Sequence, residues 1–285
     1  MTLSVALPNK GALAQDATAI FKEAGYRLRN DSRELSFFDS QNDIEFFYLR
    51  PRDIATYVSS SQIDLGVTGR DLLKDSNKGA TERLALDFGH SEFRLAGIAD
   101  DVSSGVMSEK TLVGKRIATA YPGLVRNFLV KSGIQAEVVA LDGAVEGAIK
   151  LGVADLIVDV VATGNTIKQA GLKIFGPTIL ESEAILVARP DFKSDALEIL
   201  LRRISGVVIA RKYVLVDYDI EKKNLEAACK ITPGLESPTI SPLQKQDWVA
   251  VRAMVKRGDV HLAMDNLWQI GARGILVTEI HSCRL

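Results

Sequence analysis

The chain has 285 residues, 47% hydrophobic and 25% charged, and its 35 Lys and Arg against 36 Asp and Glu leave a formal net charge of −1. Such a length suits one large or two modest domains with real cores, and the charge balance argues against a nucleic-acid-coating or polybasic membrane-binding protein while allowing local cationic pockets. Two cysteines, Cys229 and Cys283, and three histidines, His90, His261 and His281, argue against a disulfide framework or a Cys/His zinc site.

No apolar run approaches the ~18 residues of a membrane span. The opening MTLSVALPNKGAL lacks a basic n-region and a long apolar core, so the expectation is a soluble cytoplasmic protein. Residues 3–7 read as a short apolar strand, followed by Pro8-Asn9-Lys10-Gly11. Leu13, Ala17, Ile20, Phe21 and Ala24 then recur at helical spacing, and Gly25 stops the helix. After a hairpin-like insert over 26–43 come a strand at 44–49, a helix at 51–60 and a strand closing in Val67-Thr68-Gly69.

The same phrase returns at 116–164. A strand at 116–120 leads through Pro122-Gly123 into a helix with Leu124, Phe128 and Leu129 on one face, ending at Gly133. A strand at 136–141, a helix at 143–151 and a strand closing in Val161-Ala162-Thr163-Gly164 complete it. Two copies of β-loop-α-β-α-β predict two α/β lobes with mostly parallel sheets. Ligands of such sheets bind at the carboxyl ends of the strands, so the cleft between lobes is the default site.

The remainder differs. A strand at 213–220, a helix at 221–231, a turn-rich stretch over 232–239, a short strand near Ile240 and a strand at 248–255 follow in order. Asp259 is placed to N-cap a helix carrying Val260, Ala263, Met264, Leu267 and Ile270 on one face, with Gly271 as its stop and a last strand at 275–280. The order βαββαβ is the ferredoxin-like split unit, and roughly 80 residues suffice for it to fold as a domain.

The residues richest in chemistry run from Asp155 to Thr166. On a strand, Asp155, Ile157, Asp159 and Val161 share a face. An unpaired buried carboxylate between Val158 and Val160 would cost several kcal/mol, so Asp159 should face a polar cleft, a cation or hydroxyl donors. Ala162-Thr163-Gly164-Asn165-Thr166 opens a helix and offers backbone N–H groups to a phosphate. Acids followed by such a cradle suit a sugar phosphate; the plainer alternative is an N-cap, Thr163 or Asn165, beside two rim aspartates. Lys10, Arg50, Arg52 and Arg70 follow strand ends in the first lobe, a cationic wall suited to polyphosphates. Tyr121, at the matching junction of the second lobe, either stacks on a base or packs its own loop. No Gly-x-Ser-x-Gly elbow, placed Cys/His pair or His-x-x-x-His spacing occurs. Catalysis would then rest on positioning and charge stabilisation.

These phrases resemble the long form of ATP phosphoribosyltransferase, the first enzyme of histidine biosynthesis. The resemblance is carried by Leu7-Pro8-Asn9-Lys10-Gly11, Leu49-Arg50-Pro51-Arg52-Asp53-Ile54, Gly66-Val67-Thr68-Gly69-Arg70-Asp71, Ile117-Ala118-Thr119-Ala120-Tyr121-Pro122, 155–166, Asp217-Tyr218-Asp219 and 232–240, and spans essentially the whole chain. It implies two periplasmic-binding-protein-like lobes, the first at 1–94 with 184–205 and the second at 95–183, followed by an ACT-like regulatory domain at 206–285. It also implies a Mg²⁺-dependent transfer: adenine N1 of ATP attacks the anomeric carbon of phosphoribosyl pyrophosphate, and pyrophosphate leaves.

By the same resemblance Asp155 and Asp159 hold the ribose hydroxyls, and Ala162, Thr163, Gly164, Asn165 and Thr166 hold the 5′-phosphate. Lys10, Arg50 and Arg70 face phosphates, with Tyr121 beside them. Histidine is the implied feedback inhibitor, bound through Asp219, Leu235, Ser237, Thr239 and Gly274 in a homo-oligomer of dimers and hexamers. No nucleic-acid or membrane partner is implied. The two acids stand four apart instead of adjacent, so the magnesium geometry common to other phosphoribosyltransferases is not carried over. The competing reading is a non-catalytic two-lobed small-molecule sensor, against which stands the lack of a helix-turn-helix region ahead of the lobes.

Overall fold

Strand β1 (Leu3–Pro8) is apolar on both faces, with Leu3, Val5, Ala6 and Leu7 buried, as a central strand covered on two sides requires. In the computed structural model, which describes residues 2–162 and 164–284, it lies inside a six-stranded sheet. That sheet also contains β2 (Ser36–Asp39), β3 (Ile44–Leu49), β4 (Leu65–Gly69) and β5 (Thr81–Ala85). The chain then builds a second sheet from β6 (Ser91–Ile98), β7 (Arg116–Thr119), β8 (Glu137–Ala140), β9 (Leu156–Val161) and β10 (Leu172–Ser182). It returns to the first sheet as β11 (Ala184–Ala188).

Five strands of the first sheet are ordered β3-β1-β4-β11-β5, and the second sheet is ordered β8-β7-β9-β6-β10. The two orders correspond strand for strand. In each, the first three strands pair in parallel, and the antiparallel fourth, β11 or β6, is the strand next to a crossing between the sheets. The repeated phrase in the sequence is therefore a repeated α/β lobe, with β2 as the hairpin insert of the first copy. Because β6 pairs with β10 from Ser91 onward, the outward crossing lies at 86–90, ahead of position 94, and the return is at Glu183.

Two compact units result, residues 1–19 with 26–197 and residues 20–25 with 198–285. Both lobes lie in the first. The helix expected over 143–151 is shortened to Gly147–Lys150, because Gly143 and Ala144 have φ of 134° and 48°, outside the helical region.

In the second unit, β12 (Tyr213–Glu221), β13 (Thr239–Pro242), β14 (Trp248–Lys256) and β15 (Arg273–Glu279) form an antiparallel sheet ordered β13-β14-β12-β15. Alternation on β12 buries Val214, Val216, Tyr218 and Ile220 with Ala228 of helix Leu225–Ile231 and with Val260, Ala263 and Leu267 of helix Val260–Gln269. The βαββαβ order is the expected one. Asp259 is not a side-chain cap, however: it ends a 3₁₀ turn at Arg257–Asp259, and its side chain makes no capping bond. Among the described residues, no helix is long and apolar enough to cross a membrane.

Candidate active site

Parallel pairing of β1 with β3 and β4 brings the ends of these strands to one edge of the first lobe. Lys10, just beyond β1, is exposed, and so is Arg50, which sits at the N-cap of helix Pro51–Ser59 with extended backbone. The other two expected cations are engaged. Arg70 donates from Nε and Nη2 to Glu82 at 3.1 and 2.8 Å, and from Nη2 to Glu183 at 3.2 Å. Arg52 donates to Asp75 Oδ2 at 3.0 Å and to the Ala120 carbonyl at 2.8 Å. The open cationic edge thus consists of Lys10 and Arg50, while Arg52 and Arg70 tie carboxylates into the frame.

Asp159 lies near the carboxyl end of β9, in the second lobe. Its Oδ1 accepts from the Val160 amide at 2.8 Å, and no ion pair reaches it among the described residues. Burial pushes its carboxyl up to about 6, repulsion from Glu146 and Asp71 adds to this, and Arg52 opposes it. Asp71, from the first turn of helix Arg70–Ser76, is buried; its Oδ1 accepts from Ser182 Oγ at 2.9 Å, and its amide donates to the same hydroxyl at 2.9 Å. Tyr121 lies near Asp71, and burial, reinforced by that carboxylate, holds its phenol well above its ordinary pKa. Its ring meets Phe93 edge-on at 5.5 Å and lies under the Arg52 guanidinium at 5.0 Å. Both lobes therefore contribute to one acidic, partly buried cleft.

The loop after β9 is open. Ala162, Asn165 and Thr166 are exposed, Gly164 has φ of 74°, and Thr163 lies outside the described residues. Ala162, Gly164 and Lys168 line a cavity of about 690 Å³ together with Glu92, Lys173 and Glu181, within the range of small-molecule pockets.

Asp155 is not brought to this loop. It precedes β9 at the opposite end of the strand, where its Oδ2 and Oδ1 accept from the Arg116 amide at 2.8 Å and from Arg116 Nη2 at 3.0 Å. Those bonds hold its carboxyl below the ordinary range. Four residues of strand separate it from Asp159 by about 13 Å, so one ligand hydroxyl cannot engage both. Asp155→Asn is expected to lower stability by about 1 kcal/mol with kcat within twofold of the parent; thermal melts and steady-state rates check this, and a collapse of kcat would return Asp155 to the site.

In the second unit, Asp219 on β12 and Gly274 on β15 are neighbours: a Cβ on Gly274 would lie 3.7 Å from Asp219 Oδ2. The strand register shifts there, and Gly274 has φ of 60°. Thr239 is on β13, with β14 between it and β12, about 10 Å away at two strand spacings. Leu235 and Ser237 precede it in the exposed turn. One chain therefore brings together two of the five expected residues.

Sequence reasoning missed Asp71, Glu146 and Ser182. Asp71 stood inside a noticed phrase, but an acid in a first helical turn is ordinary. Nothing local marks Ser182, which acts across 111 positions.

Comparison with known proteins follows the same division of the chain. The ATP phosphoribosyltransferase (HisG) family model matches residues 50–206, and the HisG C-terminal domain model matches residues 210–282. ATP phosphoribosyltransferases of Pseudarthrobacter chlorophenolicus and Micrococcus luteus are each 54% identical, covering 99% of this chain and 100% of their own lengths. Among solved structures, the ATP phosphoribosyl transferase (HisG:HisZ) complex from Thermotoga maritima is similar with a TM-score of 0.61 and 26% identity, over 73% of this chain and 98% of that one. With likeness running through both lobes and on into the C-terminal unit, the chain belongs to the ATP phosphoribosyltransferase family.

Proposed function

We propose that this chain joins ATP to phosphoribosyl pyrophosphate, adenine N1 attacking the anomeric carbon and pyrophosphate leaving, as the cytoplasmic first step of histidine biosynthesis. The observation that carries the reading is Asp159, a partly buried carboxylate without an ion-pair partner among the described residues, shortly before an open loop whose Ala162 and Gly164 line a cavity. It accepts a ribose hydroxyl and stabilises the positive charge that develops on the sugar as pyrophosphate departs. The loop at 162–166 receives the 5′-phosphate. Lys10 and Arg50 meet the polyphosphates, Arg70 braces the edge between them and the crossing, and Tyr121 stays neutral beside the base.

Mg²⁺ is part of the proposed reaction: the substrate phosphates would hold it, with Asp159 as the nearby carboxylate, and it would neutralise charge on the leaving pyrophosphate. Histidine inhibition through Asp219 and Gly274, with Leu235, Ser237 and Thr239 supplied across a contact between chains, belongs to the same proposal. So do the dimer and hexamer.

Incubating the chain with ATP, phosphoribosyl pyrophosphate and Mg²⁺ tests it: pyrophosphate is expected, and binding of both substrates without release would favour the sensor. Gly164→Val is expected to raise the KM for phosphoribosyl pyrophosphate about tenfold. At φ of 74° the new side chain meets nothing closer than 3.8 Å, so the cost is backbone strain that reshapes the loop. Thr166→Ala, losing one hydrogen bond, should do less. Calorimetry with unchanged affinity for Gly164→Val would remove the loop from the site.

A further inference from the structure

Helix Pro122–Ser132 begins at Tyr121, whose own side chain makes no capping bond. The first amides of the helix are satisfied from the other lobe. Asp75 Oδ1, on helix Arg70–Ser76, accepts from the Gly123 amide at 2.8 Å and the Leu124 amide at 3.1 Å. Its Oδ2 accepts from Arg52, and Arg52 also holds the Ala120 carbonyl and lies over the Tyr121 ring. The Asp75 side chain is only 10% exposed. Its backbone is pressed so close that a Cβ on Gly123 would lie 2.1 Å from the Asp75 carbonyl oxygen. One carboxylate and one guanidinium of the first lobe thus grip both sides of the Ala120-Tyr121-Pro122 junction of the second.

We infer that Asp75 is a positioning residue: a cap supplied across the cleft, clipped by Arg52, which sets Tyr121 against Asp71 and Asp159. A helix N-terminus carries unpaired N–H groups and partial positive charge, so a carboxylate on two amides is a strong local anchor. The grip exists only while the lobes are together, so it couples lobe closure to the placement of Tyr121. Its kinetic consequence rests on the proposed transferase activity; its structural consequence does not.

The test compares Asp75→Ala, which loses cap and clip, with Asp75→Asn, which keeps an oxygen for the two amides. In Asp75→Ala, hydrogen exchange at the Gly123 and Leu124 amides should speed at least tenfold. The kcat/KM for ATP should fall at least tenfold, with the KM for phosphoribosyl pyrophosphate within twofold, since the loop at 162–166 is untouched. Asp75→Asn should hold both readouts within threefold of the parent. Parent-like exchange in Asp75→Ala overturns the inference. So does a loss that Asp75→Asn shares and that affects both substrates alike, the mark of a merely structural residue. Should Asp75→Ala not fold, Arg52→Ala takes its place: exchange at the two amides should rise about threefold, and unchanged exchange overturns the clip. If the parent releases no pyrophosphate, the transferase proposal fails and the exchange measurement alone decides the latch.

Discussion

Asp159→Asn is expected to reduce kcat/KM at least a hundredfold and, at pH 7.5, to make the protein more stable. Both effects come from the same carboxylate. The amide keeps the shape and one acceptor but not the charge that stabilises a cation-like sugar, and loss of one such electrostatic contact costs about 10²–10³ in rate. The stability gain follows from the direction of the proton equilibrium. Burial and two neighbouring acids raise the carboxyl to about 6 in the folded chain, against about 3.9 in an unfolded one.

The unfolded state therefore gives up this proton first as pH rises. Stability from the group is full below about pH 4, declines as pH rises through 6, and above that the ionised form costs about 1–3 kcal/mol. Asparagine carries no such cost, so the variant should melt higher at pH 7.5 and equal the parent near pH 4. In the parent, kcat/KM should fall with one proton as pH drops through 6. Melts at the two pH values and pyrophosphate release across pH 5–8 decide this. A variant with near-native kcat/KM would falsify the role of Asp159, and one no more stable at pH 7.5 would remove the account of its burial.

Asp219→Ala is expected to raise the histidine concentration for half inhibition at least tenfold, relative to the uninhibited rate of the variant itself. Asp219 is half-buried on β12 with its Oδ2 facing the space that Gly274 leaves beside it. A cationic ligand group held there makes a charge-assisted contact worth roughly 1.5–3 kcal/mol. An inhibitor acts only through its differential affinity for two states of the enzyme, so removing that contact moves the whole inhibition curve. Dose–response curves of pyrophosphate release settle the matter. If the variant is as sensitive as the parent, histidine is not held by Asp219.

Much of the architecture was legible because it is local. Apolar runs and their punctuation locate β1, β3, β4, β7 and β9, and the repeated Pro and Thr-Gly positions announce the duplicated lobe. Strict alternation locates β12 and β14, since one face of their sheet is covered by helices. Less legible were β5, β6, β10 and β11. The crossing strands β6 and β11 belong to a sheet whose other members lie far away in sequence, so their partners leave no local trace. The helix at Asp195–Lys212 was equally hidden between domains.

For the site, strand alternation put Asp155 and Asp159 on one face and is silent about distance. Only the sheet shows that one end of β9 meets Arg116 and the other meets the cleft. The basic residues at strand ends were visible as types, but whether a guanidinium is open to solvent or bound to Glu82, Glu183 or Asp75 depends on segments brought together from 12, 113 or 23 positions away. The sequence by itself determined the repeated lobes, the split βαβ unit and the family, because periodicity and motif are properties of neighbouring residues. Tertiary structure alone decided which of the candidate charges share a cleft, because charge pairing and desolvation act through space and take no account of chain separation.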